Sequence, residues 1–221
     1  DIYIAAGGMD DSDQAEVKYL DFLVRMHRLS NEPGRMICLS FDYVVDESGQ
    51  EHPEASQFHT PNELVLKFAD RFPDLLAAAS IHPYRKDAIE RLDQAYEAGA
   101  VAVKWLPNAQ VIDTSSERCD AMYKRLAELK VPLIVHAGHE AAADSEGSQG
   151  LGNVLRLRRA LDAGCRVIVA HCAGLGTDED IESSDKKEME SYELFRRLLD
   201  DPQYKGHIFA DISAMTQFNR T

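Results

Sequence analysis

Two histidines and a lysine, each ending a short apolar run, are the residues of this chain whose type and spacing could do chemistry. Pro132-Leu133-Ile134-Val135-His136 and Arg166-Val167-Ile168-Val169-Ala170-His171 both close on an imidazole, and Val101-Ala102-Val103-Lys104-Trp105 carries a lysine at the end of its apolar stretch. β-Branched runs of this kind are expected of strands buried on both faces of a parallel sheet. Neutral imidazole suits Zn, Fe, Ni or Mn, and His171 could equally act as a general acid or base near a metal-bound water. Three strands presenting Lys, His and His to one rim make a metal-site pattern. That rim is where α/β barrels place their chemistry.

Lys104 has three readings. A lysine ending a buried strand is costly unless neutralised, paired or modified. It could pair with a carboxylate, serve as a deprotonated catalytic amine, or be carboxylated by CO₂ into an anionic metal ligand. After His136, the run Ala137-Gly138-His139-Glu140 lets the backbone turn sharply out of the strand. His139 and Glu140 are placed to orient His136 or touch substrate. His82, Trp105 and Asn108 are expected to line the same pocket, and Asp42 and Tyr43 could reach it. Cys172, next to His171, is expected to pack, because neighbouring side chains of an extended segment point apart. His27, His52 and His59 read as surface residues, and His207 starts a strand at the opposite end.

The elements that must position these groups alternate. Strands are expected at 35–41, 75–80, 101–105, 132–136, 166–171 and 207–213, with starts 26 to 41 residues apart. Helices are expected at 11–29, 60–71, 86–98, 116–129, 153–163 and 188–200. Thr60-Pro61-Asn62-Glu63 reads as a capping box with Pro at the first helical position. Strict βα alternation implies a parallel sheet, and no GxGxxG loop supports a nucleotide-binding version of it. The first helix precedes the first strand, so further strands are expected before Asp1 and after Thr221, since an open barrel would leave unpaired edges.

Composition narrows the function classes. The 221 residues suit one domain over 1–221 with a sizeable core, and 44% hydrophobic content excludes disorder. Lys and Arg total 24 against 38 Asp and Glu, a net charge of −14, which argues against nucleic acid and anionic membranes as partners. No apolar stretch approaches the roughly 18 residues of a membrane span. Cys38, Cys119, Cys165 and Cys172 form no CxxC pair, and reduced thiols in a cytoplasmic protein are the simplest account. The acidic stretch 176–187 reads as a disordered surface loop, with a lid as the alternative.

Val103-Lys104-Trp105-Leu106-Pro107-Asn108, followed by Val131 to His136 and then Val169-Ala170-His171-Cys172, resembles the fourth, fifth and sixth strands of the amidohydrolase superfamily. Thr60 to Pro83, with Ser80-Ile81-His82-Pro83, is similar to its decarboxylase-related branch. The resemblance implies an α/β fold, a (β/α)8 TIM barrel of which about six of eight βα units are present. It implies metal-assisted hydrolysis of an amide, lactone or related carbonyl bond of a small molecule. His136, His171 and a carboxylated Lys104 would hold one or two divalent ions, zinc first, with His171 and Lys104 catalytic. Such barrels often pair, so a homodimer is expected. The runner-up is a one-metal non-oxidative decarboxylase with unmodified Lys104. The family's first-strand His-x-His and its last-strand aspartate do not occur here, which keeps a non-enzymatic barrel as a third reading. Asp211 falls inside the expected last strand and is not assigned the aspartate's role.

Overall fold

The computed structural model describes residues 15–30, 34–141, 143 and 147–214. Six strands form one parallel sheet in sequential order: β1 (Met36–Leu39), β4 (Leu75–Ala79), β5 (Ala100–Trp105), β6 (Leu133–His136), β7 (Val167–Ala170) and β10 (Ile208–Ala210). Every neighbouring pair is parallel. Sequential parallel order with a helical crossover after each strand is the wall of a (β/α)8 barrel, and the chain forms part of one.

The two-residue period of the strands sorts side chains into two layers. Leu39, Ala78, Ala102, Ile134 and Ile168 form the inner layer. Val103, Trp105, Leu133, Val135, Val167 and Val169 face outward against Leu92, Met122, Tyr123, Leu126, Leu157 and Leu198 of the surrounding helices. The helices are α1 (Ala15–Arg28), α2 (Asn62–Arg71), α3 (Ala88–Glu97), α4 (Pro107–Gln110), α5 (Asp120–Leu129), α6 (Arg158–Asp162) and α7 (Ser191–Leu199). No described helix is long and apolar enough to cross a membrane.

Several expected elements shift. The start of the expected first helix, 11–14, lies outside the described residues. Thr60 does not cap α2: its backbone pairs with Phe41 across an antiparallel bridge, while Asn62 accepts from Ser80 N and donates to Ser80 O. The tertiary contact with the end of β4 outcompetes the local cap. The acidic stretch is ordered, folding into an antiparallel pair of β8 (Thr177–Glu179) and β9 (Glu188–Glu190). It is tied down by ion pairs from Asp180 to Arg197 and from Glu182 to Arg158. A second small hairpin, β2 (Val44–Val45) with β3 (Glu51–His52), also escapes the sequence pattern. Each is too short to show a period. The last strand ends at Ala210, so Asp211 stands past its C-terminal end, not within it.

Candidate active site

Strand parity decides which side chains reach the barrel interior. Lys104 lies two residues beyond inward-facing Ala102, and His136 two beyond Ile134, so both point inward. With Glu140 and His171 they form the polar side of one cavity of about 230 Å3 at the C-terminal ends of β5, β6 and β7. Leu39, Leu106, Phe41 and Phe58 form its apolar side, the two rings tilted with centroids 6.0 Å apart.

Lys104 is 4% exposed. Burial drives its ammonium down to about 8, against the pull of Asp211 and Glu140, which favour the charge. His136 and Glu140, also buried, bring Nε2 and Oε2 to 3.4 Å. The His136 and His171 rings meet edge-on with centroids 5.7 Å apart.

The local backbone is unusual where β7 ends. His171, Cys172 and Ala173 have φ of 55°, 53° and 51°, a left-handed turn built from three non-glycine residues. Each such residue costs about 1–2 kcal/mol, and strain of this kind is held by its surroundings. Gly174 N donates to His171 O at 2.9 Å, and Ala173 is fully buried. Cys172 therefore does not lie in an extended segment: its thiol donates to Asp211 O at 3.4 Å. Gly138, after β6, passes so close to this turn that a Cβ would sit 2.7 Å from Leu175 O and 3.2 Å from Ala173 O. The loops after β6 and β7 are thus interlocked, with His139 N donating to Leu175 O at 2.8 Å.

Asp211 accepts from His171 N at 3.3 Å and from Ser213 N at 2.9 Å. Burial pushes its carboxyl up, but hydrogen bonds from Ser213 and His171 outweigh that and hold it below the ordinary aspartate value. The sequence reading set Asp211 aside because it appeared to lie inside a strand. The earlier strand end puts it beside His171 instead.

The other expected pocket residues stand elsewhere. Trp105 has the opposite parity to Lys104; it is fully buried against Tyr123 on the helix side, and its Nε1–H donates to Ile81 O at 2.8 Å. His82 is fully buried, with Nε2 2.9 Å from Gln110 O and Nδ1 accepting from Tyr84 N. Burial drives it down to about 4. Asn108 donates from Nδ2 to Gly138 O and to Gln149, so it braces the loop after β6 from behind. His139 is exposed and packs its Cβ against Gly176. Asp42 is engaged by buried Arg85 through two hydrogen bonds of 2.6 Å, and Tyr43 stacks on His59 at 3.7 Å. The apolar wall of Phe41 and Phe58 escaped the sequence reading. Only the length of the segment between β1 and α2 hinted at it.

Whether these residues suit a divalent ion can be tested on their spacing. Two ligand atoms each about 2.1 Å from a tetrahedral ion lie roughly 3.4 Å apart, the separation of His136 Nε2 and Glu140 Oε2. The chemistry of the donor set also fits. Among the described residues, however, no three His, Cys, Asp or Glu side chains converge as a metal cluster.

Residues 40–211 match the family model described as Amidohydrolase. The chain belongs to the amidohydrolase family. Members of this amidohydrolase family are generally metal-dependent. No curated protein matches the sequence. Among solved structures, an uncharacterised TIM-barrel protein from Bordetella bronchiseptica superposes with a TM-score of 0.58 at 15% identity, covering 96% of this chain and 65% of its own. A probable 2-pyrone-4,6-dicarboxylic acid hydrolase from Acinetobacter baumannii, with citric acid bound, gives 0.59 at 13% identity, covering 91% and 61%. Both similarities concern the fold, and the amidohydrolase chain spans less than two thirds of the length of either.

Proposed function

We propose that this chain is a metal-dependent hydrolase acting on an amide, lactone or related carbonyl bond of a small molecule. The observation that carries the proposal is the convergence of Lys104, His136, Glu140 and His171 on one cavity at the C-terminal rim of the barrel. His136 and Glu140, with donor atoms 3.4 Å apart, would supply two ligands of a divalent ion, zinc first among the candidates, with His171 edge-on beside His136. Bound there, the ion would supply Lewis-acid polarisation and a lowered pKa for water. Lys104, with its amine brought down to about 8, is poised for carboxylation. The neutral nitrogen adds to the carbon of CO₂ and loses one proton, leaving an anionic carbamate able to act as a further ligand. Leu39, Phe41, Phe58 and Leu106 would exclude water from the apolar part of the substrate.

A one-metal decarboxylase is the second reading, favoured by the carboxylates of Asp211 and Glu140, which already compensate an unmodified Lys104. Metal analysis of purified wild type, Lys104→Ala, His136→Ala and His171→Ala separates the readings. The hydrolase with a bridging carbamate predicts two ions in wild type and loss of one in Lys104→Ala. Two ions retained in that variant would refute the bridge. Metal content and melting temperature indifferent to both histidine substitutions would leave a non-enzymatic barrel.

A further inference from the structure

Beside the cavity, His171 is held from behind by a segment that no reading above uses. Its Nδ1 lies 2.8 Å from the main-chain oxygen of Ser213 and 2.9 Å from Ser213 Oγ. The same Ser213 hydroxyl donates to Asp211 Oδ1, and Ser213 N donates to that atom as well. A carbonyl oxygen can only accept, and the hydroxyl hydrogen is directed at Asp211. Nδ1 therefore faces two oxygens with no hydrogen to offer it, and it must carry the proton itself. The neutral ring then keeps its lone pair on Nε2. The left-handed turn at 171–173 and the His171 N–H bond to Asp211 fix the backbone from which this ring projects.

We propose that Ser213 is a positioning residue: with Asp211 it holds His171 as the Nδ1–H tautomer, so that the Nε2 lone pair is the atom offered to the cavity. This deepens the functional reading, resting on it only for what the lone pair binds. The tautomer follows from the hydrogen bonds alone. Outer partners of this kind commonly alter metal affinity 10- to 100-fold.

Long-range 1H–15N correlation spectra of 15N-histidine-labelled protein, with the His171 signal assigned by its loss in His171→Asn, read the tautomer directly. The expected result is Nδ1–H both as purified and after chelation. Ser213→Ala leaves the main-chain acceptor in place, so the tautomer should persist, while loss of the hydroxyl that links the ring to Asp211 should weaken zinc binding, measured against a chromophoric chelator, by about 10-fold or more. Ser213→Thr, which keeps the hydroxyl, should restore the affinity. An Nε2–H tautomer in chelated wild type, or a Ser213→Ala protein matching wild type in zinc affinity, would overturn the proposal. Nδ1–H without any zinc binding would support it while removing the metal-dependent function.

Discussion

Replacing Gly138 by alanine tests the interlock between the loops that carry Glu140 and His171. Gly138 and Gly164 share the same positive φ of +84°. Their surroundings differ. A Cβ on Gly164 would meet nothing closer than Ala127 Cβ at 3.9 Å, whereas on Gly138 it would meet Leu175 O at 2.7 Å and Ala173 O at 3.2 Å. The left-handed conformation costs an alanine about 1–2 kcal/mol. Restriction of the unfolded chain returns about 0.4–1. Gly164→Ala is thus expected to destabilise by about 0.5–1 kcal/mol. Gly138→Ala adds a displacement of backbone oxygens that cannot swing aside, worth about 1–3 kcal/mol as overpacking. It also strains the bonds from Gly138 N to Gly152 O and from His139 N to Leu175 O. The total is about 2–4 kcal/mol. At about 2–4 °C per kcal/mol for a chain of this size, the melting temperature should fall several times further than in Gly164→Ala. Equilibrium urea unfolding with matched slopes measures the difference. A Gly138→Ala protein within about 0.5 kcal/mol of Gly164→Ala would refute the close approach and the interlock built on it.

Three further predictions concern the frame around the site. Lys130 ends α5 with φ of 57°, so Lys130→Gly should stabilise by about 1 kcal/mol, read as a rise in urea midpoint. Arg85→Met leaves the half-buried Asp42 carboxylate without its cation and should cost about 2–4 kcal/mol; adding Asp42→Asn should recover much of it, which a double-mutant unfolding cycle checks. Burial holds His82 neutral, with its pKa down to about 4 from the 6.5 of a solvated imidazole. Because the folded value is the lower one, its contribution is complete above about pH 6.5 and is lost as pH falls towards 4. That contribution is roughly 3 kcal/mol. The wild type should therefore lose more stability between pH 7 and 4 than His82→Asn, and parallel pH profiles would contradict this.

The large parallel strands were legible because burial on both faces writes itself as unbroken apolar runs, as at Leu133–His136 and Val167–Ala170. Their order followed from βα alternation. The convergence of Lys104, His136 and His171 was legible for the same reason, since all three close such runs. The hairpin β8–β9 was not, because three-residue strands carry no period and are held by Arg197 of the following helix and Arg158 of the preceding one. Asp211 was misplaced by three residues of strand boundary, enough to change a wall residue into a partner of His171.

By itself the sequence determined the fold class and the rim on which the polar groups gather, because apolar periodicity and residue order survive without any contact being known, and its motifs carried the resemblance to the family. Only the tertiary structure decided which polar groups face the cavity. Trp105 and Lys104 are neighbours in the chain, yet strand parity sends one to the helices and the other to the interior. His82 looked like a pocket residue until Gln110 and Tyr84 claimed both of its nitrogens. The protonated nitrogen of His171 is set by Ser213, more than forty residues away, since hydrogen bonding depends on proximity in space and not on order along the chain.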